Sequence, residues 1–167
     1  MIVFRHWTHI VISTLLGLLL VETLKIPLNI SLSDYIIGIV VSSLLPDADQ
    51  KSSPMGKIFP LWKFIKHRTI THSIFFFLLP IVLINLFPAY FFLWLGLFIG
   101  ISCHIFADLF TPSGCRLLYP AFKTKFCIGQ IRNGSLAEKI LMITLTIITA
   151  VRFCEYFYIA TNCFINR

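Results

Sequence analysis

The sequence predicts an all-α, multi-pass helical membrane protein of about five helices with two long cytoplasmic loops, forming a single domain over residues 1–167. Three observations carry that prediction. Of the residues, 57% are hydrophobic and only 13% charged, against about 25% charged in ordinary soluble domains. The apolar residues gather in long runs, and mean hydropathy is +0.88, as expected for segments that sit in lipid. The runs are punctuated by Pro, Asn-Gly and capping residues at helical spacing.

The first apolar run follows Arg5 and has the outline of a signal peptide. Glu22, Thr23, Leu24 and Lys25 offer no small-x-small cleavage site, so the run is expected to be a helix over about 8–24. Pro27 and Asn29 mark a turn. Ser33 or Asp34 can cap a second helix over 35–45, which stops at Pro46. Residues 46–72 form the first long polar loop. A third helix is expected over about 73–86, kinked at Pro80. Asn85-Leu86-Phe87-Pro88 then leaves room only for a tight hairpin. A fourth helix over about 89–110 ends before Thr111-Pro112-Ser113-Gly114, and residues 111–134 form the second long loop. Asn133-Gly134 is a turn signal, and Ser135-x-x-Glu138 reads as a capping box opening a fifth helix to about residue 158.

Charge sets the expected orientation. With the amino terminus in the cytoplasm and the helices alternating, one side holds Arg5, Lys51, Lys57, Lys63, Lys66, Arg68, Arg116, Lys123, Lys125, Arg132 and Lys139. The other side holds Lys25 and Arg167. This is a strong positive-inside bias and places both long loops in the cytoplasm. The formal charge of +7 therefore reads as loops facing anionic lipid, and no nucleic-acid partner is expected. The five cysteines are scattered without a Cys-x-x-Cys pair, which argues against both a disulfide framework and a thiolate zinc site.

The same alternation gathers the chemistry. His9 begins the first helix on the cytoplasmic side, Asp47 and Asp49 follow the second, His67 and His72 precede the third, and His104 and Asp108 end the fourth. His104 and Asp108 stand at i, i+4 and leave one helix face. His67 and His72, five apart, cannot share a helical face, so His67 is expected in the loop and His72 at the helix start. A lone His or Asp at a helix end is ordinarily a cap or an interface residue. Carboxylates gathered beside lipid, however, need a counter-charge, and imidazole is the commonest neutral metal ligand. His6 has no matching partner and reads as interfacial. Thr71 and Ser73 read as caps, and Glu138 as a cap first and a catalytic candidate second. Trp7, Trp62 and Trp94 suit an aromatic belt.

At these residues the chain resembles the bacterial inner-membrane, metal-dependent hydrolases of the YdjM type. The matching pieces are Thr8-His9, Leu45-Pro46-Asp47-Ala48-Asp49, His67-Arg68-Thr69-Ile70-Thr71-His72-Ser73 and Gly100-Ile101-Ser102-Cys103-His104-Ile105-Phe106-Ala107-Asp108. Thr111-Pro112-Ser113-Gly114, Leu118-Tyr119-Pro120 and Gly134-Ser135-x-x-Glu138 complete the series, which covers residues 8–138 in order. Thr69 stands where that family usually has Gly, and Cys103 where Ser usually precedes the His. The helix-borne His, Pro-Asp and His-x-x-x-Asp are also similar, more distantly, to the zinc-dependent phospholipase C and nuclease fold. That resemblance implies one ion held by Asp47, His72, His104 and Asp108, and a second shared by Asp108 and His9. The later His and His-x-x-x-Glu of that fold are missing.

The sequence therefore points to an inner-membrane hydrolase with a cytoplasm-facing site holding one or two Zn or Mn ions. His9, Asp47, Asp49, His67, His72, His104 and Asp108 are the candidate ligands. Asp49 or His67 is the candidate general base. Arg68, which cannot ligate a metal, could fork onto a phosphate. The expected substrate is a phosphoester, with a membrane lipid head group as one form of it. The rivals are a membrane protein with a structural metal clip and a small transporter. A transporter should carry its charges near the bilayer midplane, whereas these sit at helix ends. The sequence carries no signal for the oligomeric state.

Overall fold

A computed structural model describes residues 3–26, 31–129, 131 and 134–165. Among these the chain is helical, with α1 (Val3–Leu24), α2 (Leu32–Ser42), α3 (Pro54–Ile58), α4 (Leu78–Leu86), α5 (Phe91–Leu109) and α6 (Leu136–Ile165) joined by 3-10 turns. No strand occurs among the described residues; one isolated antiparallel bridge pairs Cys115 with Phe126 in the second long loop. The turn residues Pro27, Asn29 and Asn133, and Arg132 and Arg167 of the charge count, lie outside the described residues.

Two helices are long and apolar enough to cross a membrane, His6–Leu24 and Pro88–Leu109, and the apolar stretch Ile74–Leu86 is shorter. The outward faces agree with a lipid surround. Leu78, Ile81 and Val82 on α4 and Ile140, Ile147 and Val151 on α6 are exposed, an apolar surface that a water-soluble monomer seldom presents.

α5 is the central element and packs against α1, α2 and α4. Its seam with α2 is the tightest in the molecule. A Cβ on Gly96 would lie 2.2 Å from the Tyr35 carbonyl oxygen, and one on Gly38 would lie 2.3 Å from that of Leu93. The two backbones touch because Gly38-x-x-x-Ser42 on α2 meets Gly96-x-x-x-Gly100 on α5. Small residues four apart are the usual device for close helix contact in lipid, where burial of apolar surface gives little drive to associate. Val21, Tyr35 and Ile39 form the buried apolar core beside this seam, and the Tyr35 hydroxyl donates to the Gly17 carbonyl at 3.0 Å.

The helix boundaries depart from expectation in instructive ways. α1 begins at Val3, several residues before the expected start, and so carries both His6 and His9 inside the helix. α2 opens after Ser31 with no side-chain cap from Ser33 or Asp34 and stops at Ser42. Leu45–Asp49 then forms a separate 3-10 turn with Pro46 in its first turn. The expected kinked third helix is instead a 3-10 turn, Ile74–Phe77, followed by α4. Pro80 is the third residue of α4, where no helical N–H is required, so it starts the helix and does not bend it. The first loop also contains α3, capped by Ser53, whose hydroxyl accepts the Gly56 N–H at 2.7 Å. α6 runs past the expected end at residue 158 to Ile165, and half of the expected capping box opens it: Ser135 Oγ accepts the Glu138 N–H at 3.2 Å, while the Glu138 carboxylate accepts the N–H of Gly134, one residue before Ser135.

Candidate metal centre

Four segments bring their polar side chains to one place. α1 supplies His6 and His9, which stand at i, i+3 on one helix face. The turn after α2 supplies Asp47 and Asp49, the end of the first loop supplies His67, Arg68 and His72, and α5 supplies His104 and Asp108. All except His67 are buried, and the His67 side chain remains 31% exposed at the edge.

His104 shows how the scaffold prepares a ligand. Its Nδ1 lies 2.6 Å from the Ser43 carbonyl oxygen. A carbonyl accepts only, so Nδ1 carries the proton and the Nε2 lone pair faces the cluster. That atom lies 3.8 Å from Asp47 Oδ1. His72 Nε2 lies 3.4 Å from Asp108 Oδ2 and 4.0 Å from Asp47 Oδ1. His9 Nε2 lies 3.7 Å from Asp108 Oδ1, and its ring stacks on that of His104 with centroids 4.0 Å apart. His72 Nε2 and His104 Nε2 are shut off from solvent and make no hydrogen bond among the described residues. Most of these spacings are too long for good hydrogen bonds. They suit neighbouring ligands of one ion: two ligands at about 2.05 Å in a tetrahedral shell are roughly 3.4 Å apart.

Two groups have ligand atoms within 4.8 Å of one another, His9–His104–Asp108 and Asp47–His67–His72. The donor set is imidazole and carboxylate, which fits zinc or manganese. The four residues implied as one shell by the phospholipase-like resemblance also approach one another, His72 Nε2 lying 3.4 Å from Asp108 Oδ2 and His104 Nε2 3.8 Å from Asp47 Oδ1.

Asp49 has a different situation. His67 Nδ1 lies 2.6 Å from its Oδ1, the Arg68 N–H donates to its Oδ2 at 3.0 Å, and the Thr71 hydroxyl donates to Oδ2 as well. Burial alone would raise its pKa, but the bonds from His67, His72 and Thr71 and the charge of His72 hold the carboxyl well below the usual range. For His72, burial alone would lower the pKa. The Asp108 and Asp49 carboxylates facing its two nitrogens outweigh that and push it up to about 9.

Arg68 brings one permanent positive charge to the cluster. It is the one Lys or Arg buried among the described residues, against the buried carboxylates of Asp47, Asp49, Asp108 and Glu138. Its Nη2 lies 2.9 Å from Asp108 Oδ2. Its Nη1 donates to Thr111 Oγ1 and to the Gly114 carbonyl, both at 3.1 Å. Thr111-Pro112-Ser113-Gly114 is therefore the seat of the guanidinium. The Arg68 φ of 60° is left-handed, a conformation that costs a non-glycine residue about 1–2 kcal/mol. The unusual backbone thus falls on Arg68, whereas Thr69 has negative φ. The reversal lets His67 reach Asp49 from one side while His72 enters from the other.

His6 is a correction. It is buried, not interfacial, with Nδ1 3.6 Å from Asp47 Oδ2. Its i, i+3 spacing from His9 was the signal. Thr71 likewise serves Asp49 and His72, its Oγ1 3.0 Å from His72 Nδ1, and is not a cap. Ser53 was unmarked in the sequence; its hydroxyl donates to the Asp47 carbonyl and fixes the Asp47–Asp49 turn.

A cavity of about 340 Å3 opens beside the cluster between α1, α5 and α6. His9, Thr111 and Glu138 form its polar end, and Leu16, Phe106 and Leu141 are among its apolar walls. Thr8 Oγ1 donates to Glu138 Oε1 at 3.4 Å across it.

The chain is 29% identical over 123 residues to the uncharacterized protein YvsG of Bacillus subtilis (strain 168), covering 71% of this chain and 74% of that protein. No solved structure matches significantly, and the kinship with the zinc-dependent phospholipase C and nuclease fold is not shown. Residues 5–165, and with them the whole histidine–aspartate cluster, match the YdjM inner membrane protein family, and the chain belongs to that family.

Proposed function

We propose that the protein is a metal-dependent hydrolase of the cytoplasmic membrane that cleaves a phosphoester at the cytoplasmic surface. The observation that carries this reading is the pair of buried imidazole nitrogens, His72 Nε2 and His104 Nε2, which face Asp108 and Asp47 and make no hydrogen bond among the described residues. Buried acceptors left in that state are costly, and a divalent cation satisfies their lone pairs together with those of the carboxylates. His9, Asp47, His72, His104 and Asp108 would hold one or two ions of zinc or manganese. Such an ion polarises a phosphoryl oxygen and renders water acidic enough to react near neutral pH.

The remaining roles follow from position. Asp49 receives three donors and stays ionised, so it is a poor base. It instead orients His67, whose partly exposed ring at the edge of the cluster is placed to take the proton from water. Arg68 holds Asp108 and turns towards an incoming phosphate. The apolar cavity ending at His9 suits a lipid acyl chain, which favours a lipid head group as substrate. The excess of Lys and Arg in the two loops supports a cytoplasmic face for the cluster.

A structural clip is the second reading, favoured by the contact between Arg68 and Asp108, which already balances one carboxylate. Metal analysis of the purified protein, followed by a screen of lipid and soluble phosphoesters, tests the proposal. One or two zinc or manganese ions per chain and metal-dependent release of phosphate are expected. Stoichiometric metal with no hydrolysis of any phosphoester would leave the clip.

A further inference from the structure

A second cavity, of about 220 Å3, lies on the loop side of the cluster. Lys66, His67, Arg68, Gly114, Arg116 and Lys125 line it. Four of these side chains are permanent cations, and no carboxylate lines the cavity. Asp108 balances Arg68 from behind. Lys66, Arg116 and Lys125 have no ion pair among the described residues, and the buried Nε of Arg116 makes no hydrogen bond there. A cytoplasmic excess of cations explains why these loops are basic. It does not explain why three unbalanced cations from two loops converge on one hollow with a buried guanidinium nitrogen unsatisfied. Like charges brought together in a concave site focus a positive field and favour an anion.

We propose that this cavity is the subsite for a phosphate dianion, so that the substrate presents a phosphate monoester or diphosphate end group and not the monoanion of a phosphodiester. The proposal rests on the hydrolase reading in one respect: His67 belongs both to this cavity and to the Asp47–His67–His72 group, which sets a bound phosphate beside the reacting centre. The charge decides the class. A phosphate monoester carries about −1.5 to −2 at neutral pH, which Lys66, Arg116 and Lys125 can neutralise, whereas a diester would leave most of their charge unmatched. Arg116 offers the planar fork that suits phosphate oxygens, and the lysines act as point charges. A lipid bearing a terminal phosphate and a soluble monoester share this chemistry.

The test uses the metal-loaded protein in phosphatidylcholine nanodiscs, titrated calorimetrically with inorganic phosphate at ionic strength held constant with chloride. Saturable phosphate binding is expected, weakened about tenfold by Arg116→Gln and about tenfold by Lys125→Gln, with metal content unchanged. Lys125 is exposed, so its substitution leaves the fold intact and carries the test if Arg116→Gln fails to fold. In nanodiscs containing phosphatidic acid, a lower apparent phosphate affinity in the parent but not in Lys125→Gln would identify the lipid as the source. Unchanged affinity would identify a soluble monoester. Binding no stronger than the chloride blank, or binding untouched by both substitutions, overturns the subsite. Loss of binding in the variants with no hydrolysis by the parent keeps the subsite and removes the hydrolase. Hydrolysis of a phosphodiester undiminished by Arg116→Gln keeps the hydrolase and removes the subsite.

Discussion

His104 Nδ1 meets the carbonyl oxygen of Ser43 at 2.6 Å. Ser43 caps the C-terminus of α2, where helical carbonyls lack intrahelical partners, and His104 lies one turn from the end of α5. One bond thus satisfies a helix end, fixes an imidazole tautomer and joins the two helices whose small-residue seam is the tightest in the molecule. The geometry of the metal cluster is therefore a consequence of how closely α2 and α5 approach.

That dependence can be tested without touching a ligand. A Cβ at Gly96 would lie 2.2 Å from the Tyr35 carbonyl oxygen, which is backbone and cannot swing aside. Gly96→Leu should force α2 from α5, misplace Asp47 relative to His104, and lower both thermal stability and metal content. Overpacking of this kind costs about 1–3 kcal/mol. Wild-type melting and metal content in Gly96→Leu would show that the seam does not set the site.

His104→Ala removes an imidazole whose orientation is already fixed and leaves the Ser43 carbonyl without its donor. Metal measured by plasma mass spectrometry should fall well below the parent value. The stabilisation that added metal gives the parent, about 2.7 kcal/mol at a hundredfold excess over its dissociation constant, should largely vanish. Equal metal-induced shifts in melting temperature for parent and variant would remove His104 from the ligand set.

Much of this was legible in the sequence. Apolar runs and loop charges indicate an all-helical membrane chain, and His104-x-x-x-Asp108 indicates a shared face. Asp47, His72 and the His67-Arg68 pair stand out because polar atoms beside lipid require partners. His6 was harder to read, because its i, i+3 spacing from His9 has meaning only once α1 starts ahead of it, and helix starts lacking a clear cap leave little trace. The seat of Arg68 depended on a left-handed residue and on the return of residues 111–114, contacts distant in sequence that no local periodicity encodes. Gly96-x-x-x-Gly100 was present as a pattern, but its meaning depended on the partner Gly38-x-x-x-Ser42 across α2.

His67 separates the base from the ligands. It is the one partly exposed member of the cluster, held by Asp49 at 2.6 Å. His67→Ala should keep metal content within error of the parent while lowering phosphoester turnover by about 10²–10⁴, the usual worth of a general base. Loss of metal in this variant would return His67 to the group with Asp47 and His72 as a ligand.

The orientation is open to direct measurement. Single cysteines placed at Lys57 and Lys25, in a background without the native cysteines, should differ in reach. A membrane-impermeant maleimide applied to intact cells should label position 25 and spare position 57 until the membrane is opened. The reverse pattern would put the cluster on the far side of the membrane.

Arg68 and Asp108 discriminate enzyme from clip. The guanidinium and the carboxylate are both buried and 2.9 Å apart, and deleting one partner of such a pair typically costs about 3–5 kcal/mol because the other is left uncompensated. In the metal-free protein Arg68→Ala should therefore destabilise strongly. A divalent ion beside Asp108 supplies the missing charge, so adding zinc or manganese should restore most of the melting temperature of Arg68→Ala. Asp108→Asn removes the carboxylate that both cations share, and metal should not rescue it. If Arg68 also faces the substrate, the metal-rescued Arg68→Ala protein will still turn over phosphoester about a hundredfold more slowly than the parent, as expected when a preorganised charge is withdrawn from a transition state. Full rescue of stability together with full parental turnover would confine Arg68 to charge balance. Failure of metal to rescue stability would mean that no ion sits close enough to Asp108 to replace the guanidinium, and the metal centre itself would have to be abandoned.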